Sequence, residues 1–288
     1  MSVSFTQYAD DQSVRHVLGL SGGKDSAALA IYIQQRYPGI HEKIEYFFSD
    51  TGAELPEVHQ FLDKLEAYLG KEIARLNSDK PFEGWLEEHN KFLPSPKQRW
   101  CTRAMKIKPF EKFVGNDSVI SYVGIRADED REGYVSQKET IKAVFPFVED
   151  GIVRDDVFQM LEDSVGIPEY YKWRSRSGCY FCFFQRQSEW LGLKRNHPKL
   201  FEKAKQFENM ERKKYDWKDE HVDMPNTGYT WSSQGTLDEL VAKAELAEKK
   251  ALAKGVITST TTTERWQDAL RASEDDDPED QACRICST

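Results

Sequence analysis

The chain has 288 residues, of which 39% are hydrophobic and 31% charged, with 40 Lys and Arg against 49 Asp and Glu for a formal charge of −9. No run approaches the roughly 18 apolar residues of a membrane span, so an integral membrane protein is excluded at the level of sequence. The polar stretch Met1–Asp11 has no apolar signal core, which predicts a cytoplasmic protein.

In chain order, Val14–Leu20 reads as a strand and Asp25–Tyr37 as a helix with Ala27, Ala28, Leu29, Ile31 and Ile33 available for packing. Lys43–Ser49 is a second strand, rich in β-formers. Leu55–Leu69 places Val58, Phe61, Leu62, Leu65 and Leu69 at helical spacing. Lys71–Leu76 is a weaker strand, and Val119–Ile125 a strong one with Gly124 near its end. This alternation predicts an α/β fold whose parallel, twisted sheet binds ligands beyond the carboxyl ends of its strands. Beyond residue 150 the pattern turns helical, at Asp155–Ser164, Gln185–Arg195, Pro198–Lys214 and Leu237–Lys254. The expected organisation is an α/β domain over 1–150, then a mostly helical, basic, cysteine-containing extension over 151–257. Residues 258–288 read as a linker and tail, with the Ser/Thr run Thr258–Thr263 and six acids within Ser273–Asp280.

The charge is partitioned. Residues 97–112 carry a net +5 and residues 171–214 a net +8, leaving −22 elsewhere. Both basic blocks contain cysteines, and Lys172, Trp173, Arg174, Arg176, Arg186 and Trp190 surround the second set. Such cations attract backbone phosphates. The aromatics alone are equally a helix core.

Ser21-Gly22-Gly23-Lys24-Asp25-Ser26 lies between the first strand and the first helix. Glycines there let backbone approach a ligand, and free amides at a helix start attract anions. Ser21 and Ser26 add hydroxyls, Lys24 a positive charge, and Asp25 a carboxylate able to hold Mg²⁺ against phosphate oxygens. The hexapeptide resembles the SGGxDS pyrophosphate loop of the ATP-pyrophosphatase (PP-loop) superfamily, which includes the phosphoadenosine-phosphosulfate (PAPS) reductases. Ser49-Asp50-Thr51-Gly52 resembles the DTG element of the PAPS-reductase-like proteins, and Gly124-Ile125-Arg126 their G-x-R loop, over about two-thirds of the chain in all. By residue chemistry alone, Arg126 offers a planar fork for phosphate or a surface partner for Asp128. The resemblance implies ATP cleavage between the α- and β-phosphates. It also implies a nucleotide site of Ser21, Gly22, Gly23, Lys24, Asp25, Ser26, Asp50, Gly52, Gly124 and Arg126, with Lys24, Asp25 and Arg126 catalytic.

Five cysteines stand at Cys101, Cys179, Cys182, Cys283 and Cys286, the last four in two C-x-x-C pairs. Outside an oxidising compartment this pattern points to metal or thiol chemistry. Cluster-containing adenylylsulfate reductases carry a Cys-Cys pair followed by a distant C-x-x-C. Here Trp100 replaces the first cysteine, so the resemblance implies Cys101, Cys179 and Cys182 as ligands of an iron–sulfur cluster, of the 4Fe-4S kind. Cys286, or alternatively Cys283, is then a fourth ligand. Otherwise one iron stays open to sulfide, as in cluster-dependent tRNA thiolases, or the tail pair carries persulfide.

The ending CRICST lacks the Glu-Cys-Gly-(Ile/Leu)-His setting of sulfonucleotide reductases. The closer resemblance is to the ATP-pyrophosphatase component of bacterial DNA phosphorothioation systems, of the Dnd and Ssp kinds. It implies adenylation of a DNA phosphate, with a cysteine desulfurase and other phosphorothioation proteins as partners. The alternatives are a PAPS or adenylylsulfate reductase, a tRNA thiolase, or a non-catalytic nucleotide sensor in a defence complex.

Overall fold

A computed structural model describes residues 4–8, 11, 13–130, 138–208 and 229–254. Strands β1 (Arg15–Gly19), β2 (Ile44–Asp50), β3 (Ile73–Asn77), β4 (Val119–Tyr122) and β5 (Ile141–Val144) form one sheet in the order β3-β2-β1-β4-β5. Every pairing is parallel. The order reverses at β1, because the chain leaves it toward β2 on one side and returns to β4 on the other. Loops after β1 and β4 therefore diverge and open a crevice at the carboxyl end of the sheet.

Helix α1 (Lys24–Arg36) is apolar nearly all round, as befits a helix covered on every side. Ala27, Ala28, Leu29, Ala30, Ile31 and Ile33 are all fully buried. They face the sheet, the helix Pro56–Leu69 and the helix Arg154–Glu162. The opposite face of the sheet is covered by Lys108–Val114, where Phe110 and Phe113 pack on Val17, Phe47 and Val119. The Phe47 and Phe110 rings stack at 4.9 Å.

The helices Gln187–Asn196, Pro198–Glu208 and Leu237–Ala253 pack on one another. An aromatic group joins them to the sheet layer: Phe82 stands 4.2 Å from Phe181, 5.2 Å from Phe207 and 6.2 Å from Trp231, centre to centre. Glu208 is buried beneath them and accepts from the amides of Trp231 and Leu237 at 3.0 and 2.9 Å. Among the described residues no helix is long and apolar enough to cross a membrane.

The predicted strands and helices are present, with shifts of a few residues at their ends; the expected run Pro198–Lys214 is seen to Glu208, and its remainder lies outside the described residues. The exception is β4, which stops at Tyr122 rather than Ile125, because beyond Val123 the chain turns from the sheet to cross the start of α1. Two elements have no clear sequence signal. β5 is four residues long at the sheet edge and only its last residue is buried. The helical stretch from Trp100 to Val114 contains a π-helical segment, Arg103–Ile107, followed by Pro109, which breaks the 3.6-residue apolar period.

His16 lies in β1 with 2% of its surface exposed, its Nδ1 2.9 Å from the Tyr122 hydroxyl. Burial holds its pKa below the ordinary 6.5, against a smaller opposing pull from Asp11. The unfolded chain therefore takes up a proton near 6.5 that the folded chain refuses. Stability is complete above that value and falls as pH drops through it toward the folded pKa. Melting temperatures taken from about pH 7.5 to about 5.5 should fall in the wild type and fall less in His16→Asn; equal slopes would remove His16 from the account.

Candidate functional site

The crevice at the reversal of strand order is lined by the Ser21–Ser26 loop after β1 and the Gly124–Glu129 loop after β4. Gly22 takes a left-handed φ of 72°, and a Cβ there would meet Val58 Cγ1 at 2.5 Å. Only glycine lets the loop turn so close to the helix Pro56–Leu69. Ser26 Oγ lies 3.1 Å from the Ser21 amide and 3.2 Å from Ser21 Oγ, which closes the loop over the start of α1. Gly124 runs against the same turn: a Cβ would stand 2.9 Å from the Asp25 carbonyl oxygen. That approach brings Arg126 onto α1.

Asp25 is the hub. Its Oδ2 pairs with Lys24 Nζ at 2.7 Å and its Oδ1 with Arg126 NH1 at 2.8 Å. Burial alone would raise its pKa, but Lys24 and then Arg126 outweigh burial and hold the carboxyl below its usual range. Arg126 also pairs with Asp128 at 2.9 Å and Glu129 at 2.6 Å. The Asp128 partnership expected of a surface arginine thus exists, but the guanidinium is turned inward to the loop.

A strap from Glu169 to Cys182 crosses this loop. Tyr170 donates its hydroxyl to the Gly22 carbonyl at 2.7 Å, and the Tyr171 oxygen accepts the Lys24 amide at 3.0 Å. Ser177 Oγ lies 3.4 Å from Ser21 Oγ. Arg174, 2% exposed, donates to the carbonyls of Gly178 and Cys179 at 3.2 and 2.8 Å. Cys182 closes the C-x-x-C turn by donating its amide to the Cys179 carbonyl at 3.1 Å.

Cys179 forms a backbone bridge with Glu54, and the Tyr180 amide bonds the Ala53 carbonyl at 2.8 Å. The Cys179 Sγ stands 3.2 Å from Thr51 Oγ1 and 4.0 Å from Glu54 Oε1. Burial pushes the thiol well above its ordinary value; Glu54 adds to this and Lys106 opposes it. Burial also raises Glu54, again against Lys106. Asp50 accepts the Gly52 amide at 2.8 Å. The ligand atoms of Asp50, Glu54 and His59 lie within 4.8 Å of one another.

Cys101 lies in the helical stretch that carries Lys106, and its neighbour Trp100 stacks on Phe82 at 5.4 Å, the ring that also meets Phe181. Cys101, Cys179 and Cys182 are partly buried and form no disulfide. Cys179 and Cys182 set two soft donors in one tight turn, a pair of the kind that zinc or an iron–sulfur cluster takes, and Cys101 stands on a separate helical stretch. Cys283 and Cys286 lie outside the described residues, as do the Ser/Thr run and the acidic stretch.

The two basic blocks meet at Phe184: Arg99 and Arg176 place their guanidinium carbons 4.8 and 5.3 Å from that ring. Lys97, Arg103 and Lys108 are exposed nearby in sequence. Sequence reasoning missed Thr51, Glu54, Lys106, Ser177 and both tyrosines. Glu54 sits two residues beyond the Gly52 at which the motif was ended. Tyr170 and Tyr171 are about 147 residues from the loop they hold, with no local pattern to mark them.

Residues 15–149, which contain all five strands, match the family model of the phosphoadenosine phosphosulfate reductase domain. The match covers 135 of the 288 residues and makes this segment similar to that domain. Two uncharacterized proteins of Methanocaldococcus jannaschii are similar to the chain, at 28% identity over 76% of it and 25% over 64%, covering 44% and 45% of their own lengths. The tRNA-specific 2-thiouridylase MnmA of Haemophilus ducreyi is 23% identical over 62% of the chain and 53% of its own length. The chain therefore spans about half the length of these curated relatives. A crystal structure of PAPS reductase from Candida auris, in a phosphate complex, matches with a TM-score of 0.42 at 13% identity, over 55% of this chain and 76% of that one.

At Gly124 the obstacle to a Cβ is backbone: it would meet the Asp25 carbonyl oxygen and carbon at 2.9 and 3.0 Å. Gly124→Ala should lower stability by about 1–3 kcal/mol, read from denaturant midpoints. An unchanged midpoint would show that the approach is not limiting.

Proposed function

We propose that this protein is an ATP pyrophosphatase that adenylates a DNA backbone phosphate for replacement of one oxygen by sulfur. The supporting observation is the strap: Ser177, which touches Ser21 of the phosphate loop, lies two residues before Cys179. Activation by nucleotide and delivery of sulfur need neighbouring sites, whereas a sensor needs only the first.

In this reading the amides at the start of α1, with Ser21 and Ser26, receive the triphosphate. Lys24 turns from Asp25 to the phosphates, and Arg126 neutralises charge as it moves onto the leaving pyrophosphate. Asp25 would hold the Mg²⁺ of ATP, which would supply polarisation of the phosphates. A non-bridging oxygen of the DNA phosphate attacks the α-phosphorus of ATP; the new P–O bond replaces the bond to pyrophosphate, which departs. Hydrosulfide, freed by a thiol reductant from the persulfide of a cysteine desulfurase, then attacks the DNA phosphorus; the new P–S bond replaces the bond to the adenylate, and AMP departs. Adenylation provides the leaving group that a bare phosphate oxygen lacks. Cys101, Cys179 and Cys182 would hold an iron–sulfur cluster, either with Cys286 or Cys283 as fourth ligand or, without one, with an iron left to bind sulfide.

The meeting of both basic blocks at Phe184, beside Cys182, supports a nucleic-acid backbone as the acceptor. The match to a tRNA thiouridylase favours tRNA as the second reading.

Lys24→Ala should keep its circular dichroism spectrum and lose pyrophosphate release from ATP by on the order of 10²-fold. Wild-type release in that variant would overturn the reading. Cys179→Ser should retain ATP binding yet abolish sulfur incorporation, measured in DNA and tRNA from cells with and without the gene. Sulfur lost from tRNA alone would move the assignment to the thiolase.

A further inference from the structure

Arg154 belongs to none of the motifs above, yet it is tied to the phosphate loop from three directions. It opens the helix Arg154–Glu162, which packs on α1. Its backbone amide lies 3.4 Å from Asp128 Oδ2, while Asp128 Oδ1 holds Arg126 Nε at 2.9 Å. The Ala127 amide bonds the Ile152 carbonyl at 2.9 Å. The G-x-R loop and the start of this helix are thus zipped together, with one carboxylate serving both arginines.

The side chain of Arg154 turns the same way. Its guanidinium carbon lies 5.8 Å from the centre of the Phe158 ring, and Lys24 Nζ lies 6.0 Å from that same ring. One phenyl group therefore supports a cation from α1 and a cation from Arg154–Glu162. Burial, and next the charge of Arg126, hold Arg154 below the usual arginine range, with Asp25, Asp128 and Asp155 opposing. Gathering Lys24, Arg126 and Arg154 from three elements is electrostatically costly, and the carboxylates of Asp25, Asp128 and Glu129 offset it in part. A polyanion would do so more completely.

We infer that Arg154 is a third cation of the nucleotide site, binding the β- and γ-phosphates of a nucleoside triphosphate alongside Lys24 and Arg126. The inference rests on the ATP reading and adds a residue to it. Selectivity follows from charge: a triphosphate can engage three cations, whereas a monophosphate is served by the loop amides and one of them.

The test is calorimetric titration of the full chain with ATP and with AMP, for wild type, Arg154→Ala, Arg154→Lys and Lys24→Ala. Arg154→Ala should weaken ATP about tenfold, on the order of 1.4 kcal/mol, and leave AMP unchanged, with Arg154→Lys recovering part of the loss. Equal ATP affinity in wild type and Arg154→Ala overturns the inference, as does an equal loss for ATP and AMP, which marks a structural role. Should the alanine variant not fold, Arg154→Gln, which keeps a planar group against Phe158, decides by the same ratio. If wild type binds no ATP, the nucleotide reading itself has failed and the inference falls with it. If ATP binding survives in wild type and is lost in Lys24→Ala, only Arg154 is at issue.

Discussion

A single partly buried carboxylate organises the crevice. Asp25 holds Lys24 on one oxygen and Arg126 on the other, and these two cations come from loops that leave the sheet in opposite directions. Charges removed from water persist only when paired. The pairing therefore binds the start of α1 to the end of β4 and sets the width of the crevice between them. The tight contact of Gly124 with the Asp25 backbone serves the same end, since a wider gap would separate the arginine from its carboxylate.

With both cations on Asp25, the loop presents little net charge. The strap adds a second constraint. Tyr171 occupies the Lys24 amide and Tyr170 the Gly22 carbonyl, which ties the loop to the segment leading to Cys179. Arg174, locked onto the carbonyls of Gly178 and Cys179, joins the thiol turn to the same unit.

Around Cys179 the physics is that of concealment. Thiol and carboxyl are both raised by burial, and Lys106, from the π-helical segment, is the nearby positive charge that opposes each. A π turn in the helical stretch that starts at Trp100 places that lysine where a regular helix would rotate it elsewhere.

Much of this was legible in the linear chain. Loop chemistry is local: Ser21–Ser26 suits an anion because consecutive amides, hydroxyls and Lys24 stand at a helix start. Strand and helix periodicity likewise located β1 to β4, α1 and the helix Pro56–Leu69. The partition of charge into two basic blocks was also visible, and their meeting at Phe184 was not. What the fold alone decided were the long-range pairs: Asp25 with Arg126, Ser21 with Ser177, Cys179 with Glu54, Gly22 with Tyr170. Each depends on which strands are neighbours and where a loop crosses. Those choices follow from burying the apolar faces of all the elements at once, a sum over the whole chain that no segment contains.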